Sequence, residues 1–119
     1  MQPAQNPVRT YSDSTVYAEL WVSLASLLRS YTAVHGLNRQ HQATVELGQE
    51  QILVRIGTRW LDLTRHQTDI VWSREDGTRG LMRFTLEGRL QTHVGDEDQE
   101  DREEEMDIQA EAWARELMR

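Results

Sequence analysis

The longest regular hydrophobic pattern in the chain runs from Val16 to His35, VYAELWVSLASLLRSYTAVH. Tyr17, Leu24 and Tyr31 are seven apart; so are Leu20, Leu27 and Val34, and so are Trp21, Leu28 and His35. These rows are heptad positions a, d and e, one apolar stripe on a helix, with Ser23, Ser26, Arg29 and Ser30 off it. Such a helix is marginal alone in water, so its stripe requires a surface to cover. Ser12, Asp13, Ser14 and Thr15 all make good N-caps and place the helix start there. Gly36 is suited to end it in the left-handed conformation, with Leu37 folding back as the apolar partner of that cap.

Beyond the connection NRQHQ (38–42) the hydrophobic period changes from 3.6 to 2. Ala43, Val45 and Leu47 alternate with Thr44 and Glu46, predicting a first strand, and GQEQ (48–51) is turn material. Ile52, Val54 and Ile56 alternate with Leu53, Arg55 and Gly57; the apolar set then shifts phase to Leu61 and Leu63. A two-residue turn at Gly57-Thr58, glycine first as a II′ turn requires, repairs the phase. It pairs Val54 with Leu61 and Ile52 with Leu63 on one face, and sets Arg55 beside Trp60 and Leu53 beside Asp62 on the other. RHQTD (65–69) turns the chain into DIVWSR. A three-residue loop over Asp76–Thr78 then sets Trp72 against Met82 and Ile70 against Phe84, collecting Ile70, Trp72, Met82, Phe84 and Leu86 on one side. A last loop at EGR (87–89) sets Leu86 against Leu90, Phe84 against Thr92 and Met82 against Val94.

Gly95 ends this pattern, and Asp96 can cap a second helix whose early acids favour the positive end of its dipole. Met106, Ala110, Trp113 and Leu117 form its stripe, with Ala114 and Met118 beside it. Asp98–Arg102 and Glu111–Arg115 are helpful i,i+4 pairs. The predicted architecture is α+β: an N-terminal helix packed on a five- or six-stranded antiparallel meander, followed by a C-terminal helix. A helix across a curved antiparallel sheet is a cystatin-like or cone-like arrangement, an analogy of architecture that carries no function. The organisation expected is a loose N-terminal arm over 1–12, a helix-plus-sheet domain over 13–95, and an acidic C-terminal helix over 96–119. That last helix either belongs to the same domain or forms a dimer interface.

Composition changes this picture in several respects. With 119 residues, 38% of them hydrophobic, the chain suits one folded domain. The net charge of −7 resides in residues 96–105, DEDQEDREEE, which hold eight of the twenty acids and one of the thirteen bases; the remainder is balanced. Every basic residue is arginine, whose flat, permanently charged guanidinium stacks on rings and pairs with carboxylates in bidentate fashion. The absence of cysteine excludes disulfides, thiolate metal sites and a thiol nucleophile. No basic-then-apolar signal segment opens the chain and no run of about twenty apolar residues occurs, so a cytoplasmic protein without a membrane span is expected.

No catalytic motif stands out. His35, His41, His66 and His93 are scattered, without an H-x-x-x-H pair on one helix, a Gly-rich phosphate loop or a GxSxG turn. Asp62, His66 and Asp69 bracket a strand end, but no feature supplies a cleft. No cofactor or metal is expected. The candidate binding residues are Arg55, Trp60, Asp62 and Arg83 on the outward sheet face, joined by Leu53 and His93, with Trp113 on the last helix. A tryptophan beside an arginine across two strands suits a cation–π pair and a flat contact surface.

The function expected first is that of a small non-catalytic, adaptor-type protein that binds another protein or itself as a homodimer. Trp60 and Trp113 would be its anchors; Arg55 and the acidic run would give charge selectivity. The alternative is small-ligand binding or catalysis in a pocket between the first helix and the sheet, lined by Tyr17, Trp21, Tyr31, His35, Trp72 and Phe84. Nucleic-acid binding through Arg55, Arg59, Arg65, Arg74 and Arg83 with Trp60 ranks third, because the body carries no net positive charge.

Overall fold

A computed structural model describes residues 5–36, 42–93 and 102–119. Helix α1 (Gln5–His35) leads into seven strands, β1 (Thr44–Leu47), β2 (Gln51–Ile56), β3 (Arg59–His66), β4 (Asp69–Arg74), β5 (Arg79–Phe84), β6 (Arg89–His93) and β7 (Arg102–Glu105), and the chain closes with α2 (Met106–Leu117). The strands form a single antiparallel sheet in chain order, so the fold is α+β with seven strands rather than five or six.

The additional strand comes from the acidic segment. Arg102–Glu105 does not open the last helix; it pairs with β6, Leu90 opposite Glu104 and Thr92 opposite Arg102. The helix begins only at Met106, and Asp96 and Asp98 lie outside the described residues. With Arg102 on a strand, the helical Asp98–Arg102 pair has no basis, whereas Arg115 and Glu111 approach to 3.6 Å as an i,i+4 pair. A row of charges on an edge strand also discourages further strand addition.

Helix α1 starts earlier than its serine-rich caps suggest, at Gln5. Pro7 falls in its first turn, where the missing N–H would have no helical partner anyway. The buried stripe is rotated from the heptad expectation. Trp21, Leu24, Ala25, Leu28 and Thr32 are buried, Tyr17, Leu20, Leu27 and Tyr31 pack at the margin, and Val34 is 60% exposed. Thr32 is tolerated inside because its hydroxyl donates to the Leu28 carbonyl at 2.6 Å.

Gly36 ends the helix differently from the expected left-handed cap. Left-handed glycines occur at Gly57, Gly77 and Gly88, not at Gly36. What Gly36 supplies is room: a Cβ there would lie 2.8 Å from Met118 Cε and 2.9 Å from the Thr32 carbonyl. Leu37, its expected partner, lies outside the described residues.

The Gly57-Thr58 corner forms as expected, with Gly57 at φ +58. Val54 faces Leu61, Ile52 faces Leu63, Arg55 faces Trp60 and Leu53 faces Asp62. The two later hairpins are each displaced by two residues. Trp72 lies opposite Gly80 rather than Met82, and Ile70 opposite Met82 rather than Phe84. Likewise Phe84 pairs with Leu90 and Met82 with Thr92. The reason is the position of glycine. Gly77 (φ +91) and Gly88 (φ +84) close the loops Glu75–Gly77 and Leu86–Gly88, a left-handed residue completing each three-residue turn. Leu86 thereby falls in a loop, 55% exposed, instead of joining the inner face.

A two-residue displacement leaves each side chain on its face. One continuous core therefore gathers Ile52, Val54, Leu61, Leu63, Ile70, Met82, Phe84 and Leu90 from the sheet, Trp21, Leu24 and Leu28 from α1, and Ala110, Trp113 and Leu117 from α2. Both helices lie on this one face and pack against each other. His35 Nε2 and Glu111 Oε2 meet at 2.8 Å across their joint, and Met118 fills the space beside Gly36.

Arginines on the same face tie helices to sheet. Arg59 donates to the Glu116 and Leu117 carbonyls at 3.1 and 3.4 Å, a cation at the negative end of α2. Arg65 lies 5.7 Å from the centroid of the Trp21 ring, whose indole N–H donates to the Gly48 carbonyl at 2.8 Å. No helix among the described residues is long and apolar enough to cross a membrane.

Candidate functional site

Because α1 and α2 share one side of the sheet, the other side carries no helix among the described residues. The strand period of two dictates what it presents. Cross-strand partners form successive rows: Thr44, Arg55 and Trp60; Glu46, Leu53, Asp62, Ser73 and Arg79; Gln51, Thr64, Val71 and Leu81; His66, Asp69, Arg83 and Gln91. Four of the five expected binding residues, Arg55, Trp60, Asp62 and Arg83, are thus brought to one surface. Val71 (44% exposed) and Leu81 (39% exposed) stand opposite each other near its centre. These two were missed by sequence reasoning, although their strand parity identifies them once the hairpins are in register.

Trp113 does not belong to this surface. It is 4% exposed, packed in the core with its ring centroid 6.2 Å from that of Trp72 at 60°. Its stripe on α2 faces the sheet, where the ring is part of the common core.

The outward side chains are held by their neighbours across the strands. Arg55 reaches Glu46 on β1 at 3.4 Å, so its guanidinium is engaged by a carboxylate instead of the Trp60 ring. Asp62 accepts hydrogen bonds from Gln51 at 3.0 Å and from the Thr64 hydroxyl at 3.3 Å. Arg83 Nε donates to Asp69 at 2.8 Å. Asp62 and Asp69 are therefore engaged by partners other than His66. Among the described residues, no three His, Asp or Glu side chains converge as a metal site.

Trp60 is positioned from behind. Its backbone N–H donates to Glu75 Oε1 at 3.0 Å where the β3–β4 ladder ends. The second oxygen of that carboxylate, Oε2, lies 3.3 Å from Arg74 Nη2, and Arg74 Nη1 lies 2.9 Å from Glu116 of α2. Arg74 is only 8% exposed, so its charge is compensated by these two glutamates, one on either side. Burial raises the Glu75 pKa, but hydrogen bonds from the Trp60 N–H and from its own N–H, together with Arg74, outweigh this and hold it below the usual 4.5. Asp76 is lowered too, by hydrogen bonds from the Thr78 hydroxyl and N–H. Glu75 was not foreseen as part of the site, and Arg74 was named only among the arginines considered for nucleic acid; the signal for its present role was an arginine at an inward position of a strand.

The expected helix–sheet pocket is occupied by side chains. Trp21, Leu24, Leu28 and Phe84 are all buried in the common core. Hollows lie at its margins among the described residues: Trp21 borders one beside the β1–β2 turn, and Trp72 borders another near β7. The five arginines considered for nucleic acid are divided between the sheet's two sides, Arg55 and Arg83 outward, Arg59, Arg65 and Arg74 toward the helices. No protein-family model, curated protein or solved structure matches the chain.

Proposed function

We propose that this protein is a small, non-catalytic protein-binding module that works through the helix-free face of its sheet, and that its occupant is a second copy of the chain. The observation that carries this reading is the placement of both described helices on one side, which leaves Val71 and Leu81 exposed and Trp60 half-buried on the other.

Three features support self-association there. Seven strands spaced about 4.8 Å apart give a face roughly 30 Å wide, room for a standard contact of about 800 Å² per partner. The face alternates Arg55, Arg79 and Arg83 with Glu46, Asp62 and Asp69, so two copies related by a two-fold axis can oppose unlike charges. The sheet edges are blunted: Arg29 takes the Val45 carbonyl of β1 at 3.3 Å, and β7 is acidic. Association by the face is thereby favoured over association by strand addition. The charged face also suits the aqueous, cytoplasmic setting that forms part of this proposal.

The test is the mass in solution of the full chain and of a Val71→Glu/Leu81→Glu double variant. The expected result is a dimer for the parent and a monomer with unchanged thermal midpoint for the variant. A parent that stays monomeric at high concentration, or a variant that remains dimeric, overturns the proposal.

A further inference from the structure

Between α2 and the β5–β7 end of the sheet lies a hollow of about 360 Å³. Trp72, Met82 and Trp113 give it an apolar wall, while Arg102, Glu104 and Gln109 line it with polar groups. Register fixes the side from which the two charges approach. Arg102 lies opposite Thr92 and Glu104 opposite Leu90, whose side chain is buried on the helix side. Arg102 and Glu104 are thus two residues apart on one strand and share the inner face.

The other carboxylates bordering the hollow are already engaged. Glu103 lies 3.6 Å from Arg89, and Glu116 lies 2.9 Å from Arg74. Among the described residues, Arg102 and Glu104 make no ion pair, with each other or elsewhere. The hollow therefore presents one uncommitted cation and one uncommitted anion above an apolar wall.

We infer that this hollow binds a free α-amino acid with an apolar or aromatic side chain. A guanidinium receives a carboxylate through two parallel hydrogen bonds, so Arg102 takes the α-carboxylate. Glu104 takes the α-ammonium, and the side chain lies on Trp72 and Met82. A wall of carboxylates alone would select cations, and arginine alone would select anions; one of each selects a molecule that carries both charges close together. The volume lies within the range of about 300–1,000 Å³ that small-molecule sites occupy. This site is on the opposite side of the sheet from the proposed contact face, so the two proposals stand or fall separately.

The experiment titrates the full chain with L-phenylalanine, N-acetyl-L-phenylalanine and L-phenylalaninamide, followed by calorimetry and by the fluorescence of the tryptophans. Saturable binding of L-phenylalanine is expected, weakened at least about tenfold when either charged group is blocked. Glu104→Gln should abolish the preference for the free amine over its acetylated form, and Arg102→Gln the preference for the free acid over its amide. Both residues sit on an edge strand outside the core, so both variants should melt within about 2 °C of the parent. Absence of saturable binding up to about 10 mM overturns the inference, as do blocked analogues that bind equally well.

Discussion

The indole of Trp72 covers Gly80, its partner across β4 and β5. A Cβ built on Gly80 would lie 2.6 Å from Nε1 and 2.8 Å from Cε2 of the ring. The ring is also tilted against Trp113, so it cannot retreat without disturbing α2. Gly80→Ala should therefore destabilise the fold by about 1–3 kcal/mol, the usual cost of overpacking. Calorimetric melting of Gly80→Ala, Trp72→Leu and the pair gives the check. The double variant should recover part of the loss, because the smaller side chain removes the conflict.

Adjacent residues on β3 should respond in opposite ways. Leu61 is fully buried, and Leu61→Ala should cost about 2–5 kcal/mol. Trp60 faces outward, and Trp60→Ala should cost under about 1 kcal/mol while weakening association. Denaturant titration beside sedimentation of both variants separates these effects. A large stability loss at Trp60 with unchanged association would mean that its ring serves the fold.

The two loop-closing glycines impose a backbone requirement. Gly77 and Gly88 sit at φ +91 and +84, with no crowding at Gly77 and Leu20 Cδ2 at 3.5 Å from a Cβ on Gly88. Alanine at either position should cost about 1–2 kcal/mol through the left-handed conformation alone. Asparagine, which tolerates that region, should cost less; ranking the three residues at each site by thermal midpoint tests the cause.

Acid sensitivity should concentrate at the β4–β5 turn. Glu75 is held below its ordinary value of 4.5 in the folded protein, so it binds its proton more readily when unfolded. Its contribution to stability is complete above about pH 4.5 and disappears as pH falls through the lowered value. Glu75→Gln should be less stable than the parent at neutral pH and lose less on acidification. Urea midpoints measured from pH 7 down to pH 3 should therefore converge; parallel curves would show that Glu75 does not carry the effect.

Much of the inside–outside map was legible because strand parity survives errors of register. Reading Asp76–Thr78 as the loop, rather than Glu75–Gly77, moved partners by two residues yet left Ile70, Trp72 and Met82 on the correct face. Gly57 opens its turn whereas Gly77 and Gly88 close theirs, and an isolated glycine does not announce which role it has. Strand β7 was illegible for a different reason. REEE has no apolar alternation, and its extended form depends on pairing with β6, a contact remote from local preference. Trp113 fitted an amphipathic stripe from the outset, but the stripe alone could not say whether sheet or partner would cover it.

The contact between Gly36 and Met118 has a consequence for synthesis. Each hairpin needs only neighbouring sequence and can form while the ribosome is still working. The inner surface beneath Trp72 cannot close until α2 has emerged and met α1. Until then only α1 can cover the inner side of a nascent sheet, and the part that meets Ala110, Trp113 and Leu117 stays open.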